Sequence, residues 1–474
     1  MKKRVLDILK ILIIIIFTCI TVCLLVNVYN LNILKLGIFI ILSIILVLID
    51  VFFAIKLLHN KTKLVTKIII CILIALLGTV YVFGTIYSDK VINFISSITE
   101  EKYEVQKYSV LVLNTSNYNS IEDLKNEKIG FMSLMTNYKK VKDNISKKIT
   151  FEEKIYENVG TLVLSIYNDE TKAIVLDDSL IELLKENNVN FINESKVIYS
   201  SEIKYKKQST KKAVDVNETP FIVYISGSDS RSGINTIARS DVNIFAVINS
   251  KKNKILLVST PRDYYVQLHG TIGLKDKLTH AGLYGLNMSK QTLEDLYDIS
   301  INYSVKVSFD ALVNVVDSID GIDINSDKAF TAYANRKCYF KKGINHVNGT
   351  CALAYARERM TYDSGDYHRS QNQQEVLTAI IKKISNSNYL LKYDEILNSM
   401  SGAIETDLTY NEITSFVKYQ LTEFHNWTID SVIPDGVSAM METYSIPNEK
   451  KYVSLEDTKS INNIKNIIND YLEK

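Results

Sequence analysis

FIVYISG, residues 221–227, is apolar at almost every position and ends in glycine. A strand with one wet face alternates apolar and polar residues, so a near-continuous apolar run implies cover on both faces. NIFAVINS (243–250) and KILLVST (254–260) repeat the pattern, and the KKN between them reads as a tight hairpin. NYSVKVS (302–308) alternates, and GIDIN (321–325) is a further short strand. Between these, FDALVNVVDSI (309–319) has helical period, with Phe309, Leu312, Val313 and Val316 on one face. HVNGTCALAYAR (346–357), QQEVLTAIIKKI (373–384), DEILNSMSGAI (394–404), EITSFVKYQLTEF (412–424) and INNIKNIINDYL (461–472) are also helical in period. The pattern predicts a three-layer α/β/α domain with a mixed central sheet over residues 219–474.

The chain has 474 residues, more than one ordinary domain needs, and its net charge of +2 offers no global basic field for nucleic acid. Apolar runs at about residues 5–28, 33–58 and 65–86 are each long enough to cross about 30 Å of hydrocarbon as a helix. The first is too long for a cleaved signal peptide, lacks a small-residue cleavage site and is followed by two more spans. Asp7 sits at the start of its span; Asp50 lies deeper in the second, which points to a span ending somewhat before Leu58. Lys2, Lys3 and Arg4 precede the first span, and Lys56, Lys61, Lys63 and Lys67 flank the second loop, while only Lys35 lies near the first. The positive-inside rule then places the N-terminus and second loop in the cytoplasm and everything after about residue 88 outside, as a multi-pass cell-membrane protein.

Residues 89–104 read as a polar juxtamembrane helix or linker, and 105–203 as a small α/β accessory domain. YSVLVLN, KIGFM and AIVLDD are its strands, SLIELLKENN is a helix, and SIEDLKNE opens with a capping-box start at Ser120 and Asp123. SIEDLKNEKIG also resembles a stretch found in one lobe of solute-binding proteins, against the plainer reading of a spacer without a ligand. Residues 204–218 read as a charged linker. Outside the spans only Cys338 and Cys351 remain; an oxidising exterior permits a disulfide between them, and two buried thiols are the alternative.

Four polar clusters stand at predicted element ends: GSDSR (227–231), ARSD (238–241), STPRDYY (259–265) and YARERMTYDSGDYHRSQNQQ (355–374). Each alone could be a turn. Together they gather Asp229, Asp241 and six arginines. Arginine forks bind phosphate oxygens bidentately and keep their charge. Mg²⁺ favours one or two carboxylates plus substrate phosphates. No Walker A or kinase motif is present, so nucleotide-driven transfer is not indicated. His280 and His346 lack a nucleophile–base pattern and read as structural.

Those clusters, with RSDVNIFAVIN, KKNKILLVSTPRDYYV, KDKLTHAGLYG and NYSVKVSFDALVNVVDSIDGIDI, resemble the LytR-CpsA-Psr family over about residues 219–386. The resemblance implies an extracytoplasmic phosphotransferase of mainly Gram-positive envelopes. Its donor is a teichoic acid or capsule-like glycan on a polyprenyl diphosphate carrier, and its acceptor is peptidoglycan, joined through a phosphodiester. It implies Mg²⁺, or Mn²⁺ in its place, on Asp229 and Asp241. It further implies diphosphate binding by Arg239, Arg262, Lys277, Arg357, Arg359, Arg369 and Gln373, with Arg231 in the same motif. Asp229, Arg239, Asp241 and Arg262 are then the expected catalytic set. His368 and Asn372 depart from the family pattern and leave one expected positive charge missing. With water as acceptor the same site would be a pyrophosphohydrolase. A non-catalytic envelope regulator, and a glycan- or lipid-binding module without turnover, are competing readings of the same residues.

Arg357 and Arg359 are two apart, which on a helix points them to nearly opposite sides. They converge only if the chain has already left the helix and runs extended there. Arg369 and Gln373, four apart, share a face of the next helix.

Overall fold

The computed structural model describes residues 2–99, 103–206, 210–228, 234, 236–384, 400, 402–423 and 426–473. Three long helices come first: α1 (Lys2–Leu31), α2 (Leu36–Leu58) and α3 (Leu64–Thr99). Each is long and apolar enough to cross a membrane, with mean hydropathies of 3.0, 3.2 and 2.5. They pack on one another through Phe17, Phe53, Leu57, Ile74 and Tyr81. Asp50 does not interrupt the second helix. The helix continues to Leu58, and Asp50 turns inward, where Thr21 Oγ1 donates to its Oδ1 at 3.1 Å. A carboxyl group facing a helix neighbour avoids the cost of facing lipid. The third helix runs unbroken past the apolar stretch to Thr99.

The next unit is a five-stranded mixed sheet of β1 (Tyr103–Leu113), β2 (Lys128–Met132), β3 (Glu152–Tyr156), β4 (Ala173–Asp177) and β5 (Ser195–Lys206), in the order β3-β2-β4-β1-β5. Its helices are α4 (Tyr138–Ser146), α5 (Val159–Tyr167), α6 (Asp178–Glu186) and α7 (Asn190–Glu194). Burial of Val110, Phe131, Leu162, Val175 and Leu184 closes its core. SIEDLKNE makes only a short 3₁₀ turn, but Asp123 does accept the Ser120 backbone N–H at 2.9 Å.

The larger unit is built on β6 (Phe221–Ser228), β7 (Val242–Asn249), β8 (Lys254–Ser259), β9 (Tyr264–Val266), β10 (Asp276–Lys277), β11 (Tyr303–Ser308), β12 (Ile322–Ser326), β13 (Phe330–Thr331), β14 (Tyr339–Phe340), β15 (Gly343–Val347), β16 (Ile404–Thr406), β17 (Thr428–Val432), β18 (Gly436–Thr443) and β19 (Ile446–Glu456). Its helices are α8 (Leu278–Ala281), α9 (Leu286–Tyr297), α10 (Phe309–Ser318), α11 (Gly349–Ala356), α12 (Asp366–Ile384), α13 (Tyr410–Glu423) and α14 (Thr458–Leu472). The central sheet has the order β16-β11-β6-β7-β8-β17 and is mixed: β6 pairs parallel with β11 and antiparallel with β7. Alternate residues explain the double burial. Ile222, Tyr224, Phe245 and Leu256 face α9 and α14. Ile244, Ala246, Ile255 and Leu257 face the other way, with Leu377 of α12 and Trp427 packed on them. The three-layer α/β/α arrangement follows.

Several local readings change. His346 and Val347 belong to β15, and the helix after them begins at Gly349, with Asn348 capping the Cys351 N–H at 3.0 Å. Of the helix read at 394–404, residues 394–399 lie outside the described residues and Ile404 begins a strand. The buried face of α10 is Ala311, Val315 and Val316, so Phe309 and Val313 are not core residues. Cys338 and Cys351 form a disulfide, with sulfurs 2.08 Å apart.

Candidate active site

The site forms where β6 and β8 end and β7 begins. Gly227 lets β7 start close beside β6: a Cβ there would lie 2.7 Å from the Val242 Cβ. The Asp241 N–H donates to the Gly227 carbonyl at 2.8 Å, which fixes Asp241 at the mouth of the sheet. Asp229 and Arg231, expected here, lie outside the described residues. Arg239 approaches Glu186 at the end of α6, Nη1 to Oε2 at 2.8 Å. The turn around α8 presses against this arginine's backbone, because a Cβ at Gly282 would come within 2.6 Å of Ala238 O and Ser240 N.

Arg262 follows β8 and donates from Nη1 to Asp241 Oδ1 at 2.6 Å; Thr279 Oγ1 donates to the same oxygen at 3.2 Å. Asp263, its neighbour, holds Lys277 Nζ at 2.9 Å. Burial works to raise the Asp263 carboxyl, but Lys277, Arg262 and Arg369 outweigh it and hold it below its ordinary value. The Asp263 N–H donates to Asp366 Oδ2 at 3.3 Å, and Asp366 ion-pairs with Arg369 one helical turn later on α12. Burial, helped by Arg262, pulls the Arg369 pKa down to about 9. Asp276 and His280, paired at 2.7 Å and buried, anchor the segment that carries Lys277 and Thr279. His280 is therefore structural.

After α11 the chain leaves the helix. Glu358 is 1% exposed and accepts the N–H groups of Tyr333, Met360 and Thr361 at 2.6, 2.8 and 3.1 Å. Arg357 and Arg359 on either side of it are exposed. Arg357 stacks over the Phe309 ring at 5.2 Å, and Arg359 is close enough to Arg369 to lower its pKa. Gln373 is half-buried on α12, and no described contact ties it to these arginines. Its neighbour Gln374 is buried, with Nε2 donating to Leu257 O at 3.2 Å and Val432 O at 2.8 Å. His368 stacks on Tyr362 and Asn372 donates to Tyr355 O at 3.1 Å, so both serve packing.

Arg239, Asp241, Arg262 and Arg357 line one cleft of about 820 Å³. Lys277 and Arg369 join that group through Asp263 and Asp366, and Arg359 lies near Arg369. The six cations outnumber Asp241, Asp263, Asp366 and Glu186 by two, leaving charge for a dianionic ligand. Sequence reasoning misses Asp263, Asp366, Thr279 and Glu186; a carboxylate beside each arginine cluster is the signal that could have found the first two. Among the described residues no three His, Cys, Asp or Glu side chains converge. Asp241 Oδ1 takes both bonds, and Oδ2 takes none among the described residues. One free hard oxygen beside a cluster of cations fits a divalent cation that would complete its shell with ligand oxygens and water.

The LytR_cpsA_psr family model matches residues 188–466. Polyisoprenyl-teichoic acid–peptidoglycan teichoic acid transferase TagU of Bacillus subtilis (strain 168) is 34% identical over 220 residues, 46% of this chain and 69% of that protein. TagU of Bacillus mycoides (strain KBAB4) is 33% identical over 200 residues, 42% of this chain and 64% of that one. The chain thus spans 64% to 69% of the length of these relatives. Among solved structures, B. subtilis TagV is similar at 28% identity and a TM-score of 0.46, covering 54% of this chain and 98% of that one. TagT bound to LI-WTA is similar at 25% identity and a TM-score of 0.45, covering 55% and 94%. With the family model covering more than half of its length, the chain belongs to the LytR_cpsA_psr family.

Proposed function

We propose that this chain is a membrane-anchored phosphotransferase. It moves a teichoic acid or capsule-like glycan from a polyprenyl diphosphate carrier to a peptidoglycan hydroxyl on the outer side of the cell membrane. The convergence of Arg239, Arg262 and Arg357 on one cleft, backed by Lys277, Arg359 and Arg369, carries this reading. The relatives named as teichoic acid transferases support it. Arg239 and Arg262 would exchange their carboxylate partners for diphosphate oxygens. Arg357 and Arg359 would close over the same group from the opposite wall, and Arg369, held by Asp366, would supply charge from below. The acceptor oxygen attacks the sugar-proximal phosphorus, its proton passes to Asp241 or Asp229, and the bond to polyprenyl phosphate breaks. Positioning and charge stabilisation suffice for such a transfer. Mg²⁺ on Asp241 and Asp229 would supply further neutralisation of the diphosphate.

The test is attachment of a synthetic polyprenyl diphosphate glycan to peptidoglycan by the full chain in nanodiscs with Mg²⁺. Arg262→Ala is expected to lower the rate about 10²-fold or more, and chelation to abolish it. Unchanged attachment by Arg262→Ala would refute the site; release of free glycan without attachment would make the chain a hydrolase.

A further inference from the structure

The cleft has a second wall, and the accessory sheet builds it. Along α6, Asp178, Glu182, Lys185 and Glu186 line the cleft at i, i+4, i+7 and i+8, with the buried Leu183 at its edge, while Leu180 and Leu184 are buried away from it. A helix rises about 6 Å between positions four apart, comparable to the length of one sugar ring. Glu182 and Glu186 are exposed, and Glu186 reaches across to Arg239. Asp178, Glu182 and Glu186 face Lys107 and Lys185 on this wall, so it is acidic by one charge while the far wall is basic. At the floor, Ser228 is 2% exposed and its hydroxyl has no hydrogen-bond partner among the described residues. The same is true of the buried Nε of Arg262. Buried polar groups are rarely left unpaired, so both point to a ligand that enters the cleft.

We propose that the α6 wall is a glycan subsite contiguous with the diphosphate site. Carboxylates only accept hydrogen bonds, and sugar hydroxyl and amide groups supply the donors. A chain of repeating phosphates would meet like charge at Asp178, Glu182 and Glu186, relieved on this helix by Lys185. The subsite therefore takes a neutral or amino-bearing sugar chain and disfavours a polyphosphate one. Glu186 is the joint: it holds Arg239 when the cleft is empty and turns to the sugar when diphosphate takes that arginine. This inference rests on the diphosphate reading of the opposite wall.

The experiment uses the full chain in nanodiscs and two soluble probes, a β-1,4-linked N-acetylglucosamine tetramer and a short poly(glycerol phosphate). Binding is followed by titration calorimetry. The tetramer is expected to bind wild type and to weaken about tenfold for each charge-assisted bond lost in Asp178→Asn/Glu182→Gln. Poly(glycerol phosphate) is expected to bind that variant more tightly than wild type. Glu182→Lys, a single exposed change, should strengthen the polyanion further. No tetramer binding to wild type, or equal binding to wild type and variant, overturns the proposal. An unchanged affinity for poly(glycerol phosphate) overturns the selection against phosphate chains. Arg262→Ala, tested with a short-chain polyprenyl diphosphate, judges the other wall separately: if diphosphate binding survives, that reading fails while the tetramer result still decides this one.

Discussion

Arg357 and Arg359 had to leave a helix to act together, and Glu358 is what takes them out of it. Its buried carboxylate gathers the N–H groups of Tyr333, Met360 and Thr361, so the backbone bends and the flanking arginines are turned outward. Glu358→Ala would leave these donors without their acceptor, at a cost of about 3 kcal/mol. A lowered thermal midpoint and a loss of transfer are expected, with Glu358→Gln retaining more of both; equal stability of wild type and Glu358→Ala would reject this role. The arginines are readable in sequence because phosphate chemistry needs their residue type in number. Glu358, Asp263 and Asp366 are not, because a carboxylate's partner is chosen by the fold. Glu186 and Arg239 meet only because two separate sheets are brought together. Phe309 reads as core for its size, yet it lies under the Arg357 guanidinium.

At the scale of elements, the central strands are legible because their residues are apolar on both faces. The missed ones have no such pattern. β18 is exposed along most of its length, and α4 is lysine-rich with only Val141 and Ile145 buried. Helix α6 is legible from its Leu stripe, but the preceding residue, Asp177, carries the less obvious property. Burial pushes its carboxyl from 3.8 up to about 7, with the Gln106 amide working in the opposite direction. Between those values the folded chain keeps a proton that the unfolded chain releases, so this group's contribution falls as pH rises through that window. Asp177→Asn should flatten the fall in thermal midpoint between pH about 4 and about 7; an unaltered profile would contradict the burial effect. The Cys338–Cys351 bond ties the loop carrying β14 and β15 to α11. Its removal by Cys338→Ser/Cys351→Ser is expected to cost about 2–4 kcal/mol, measured by denaturant unfolding with wild type reduced as a control.

Across the whole molecule, the larger unit does not hang from its anchor. β16 and α13 pack against α3, and the Tyr410 hydroxyl donates to the Asn30 and Leu31 carbonyls at the end of α1, at 3.2 and 3.4 Å. The first interhelical loop and the larger unit therefore share one side of the bundle. In intact cells, an impermeant maleimide is expected to label Asn32→Cys and Lys451→Cys but not Lys61→Cys until the membrane is opened. Labelling of Lys61→Cys alone would invert the proposed orientation. The three spans are legible from length and hydropathy, whereas this docking depends on surfaces that no local pattern records. The 36 residues of α3 amount to about 54 Å of helix against about 30 Å of hydrocarbon, so part of it stands above the bilayer as a stiff post. In the proposed reaction a lipid-linked donor would explore only the plane of the membrane, while a wall-bound acceptor would be displaced along its normal. For that reaction the post would set the single altitude at which a two-dimensional search and a three-dimensional one can meet.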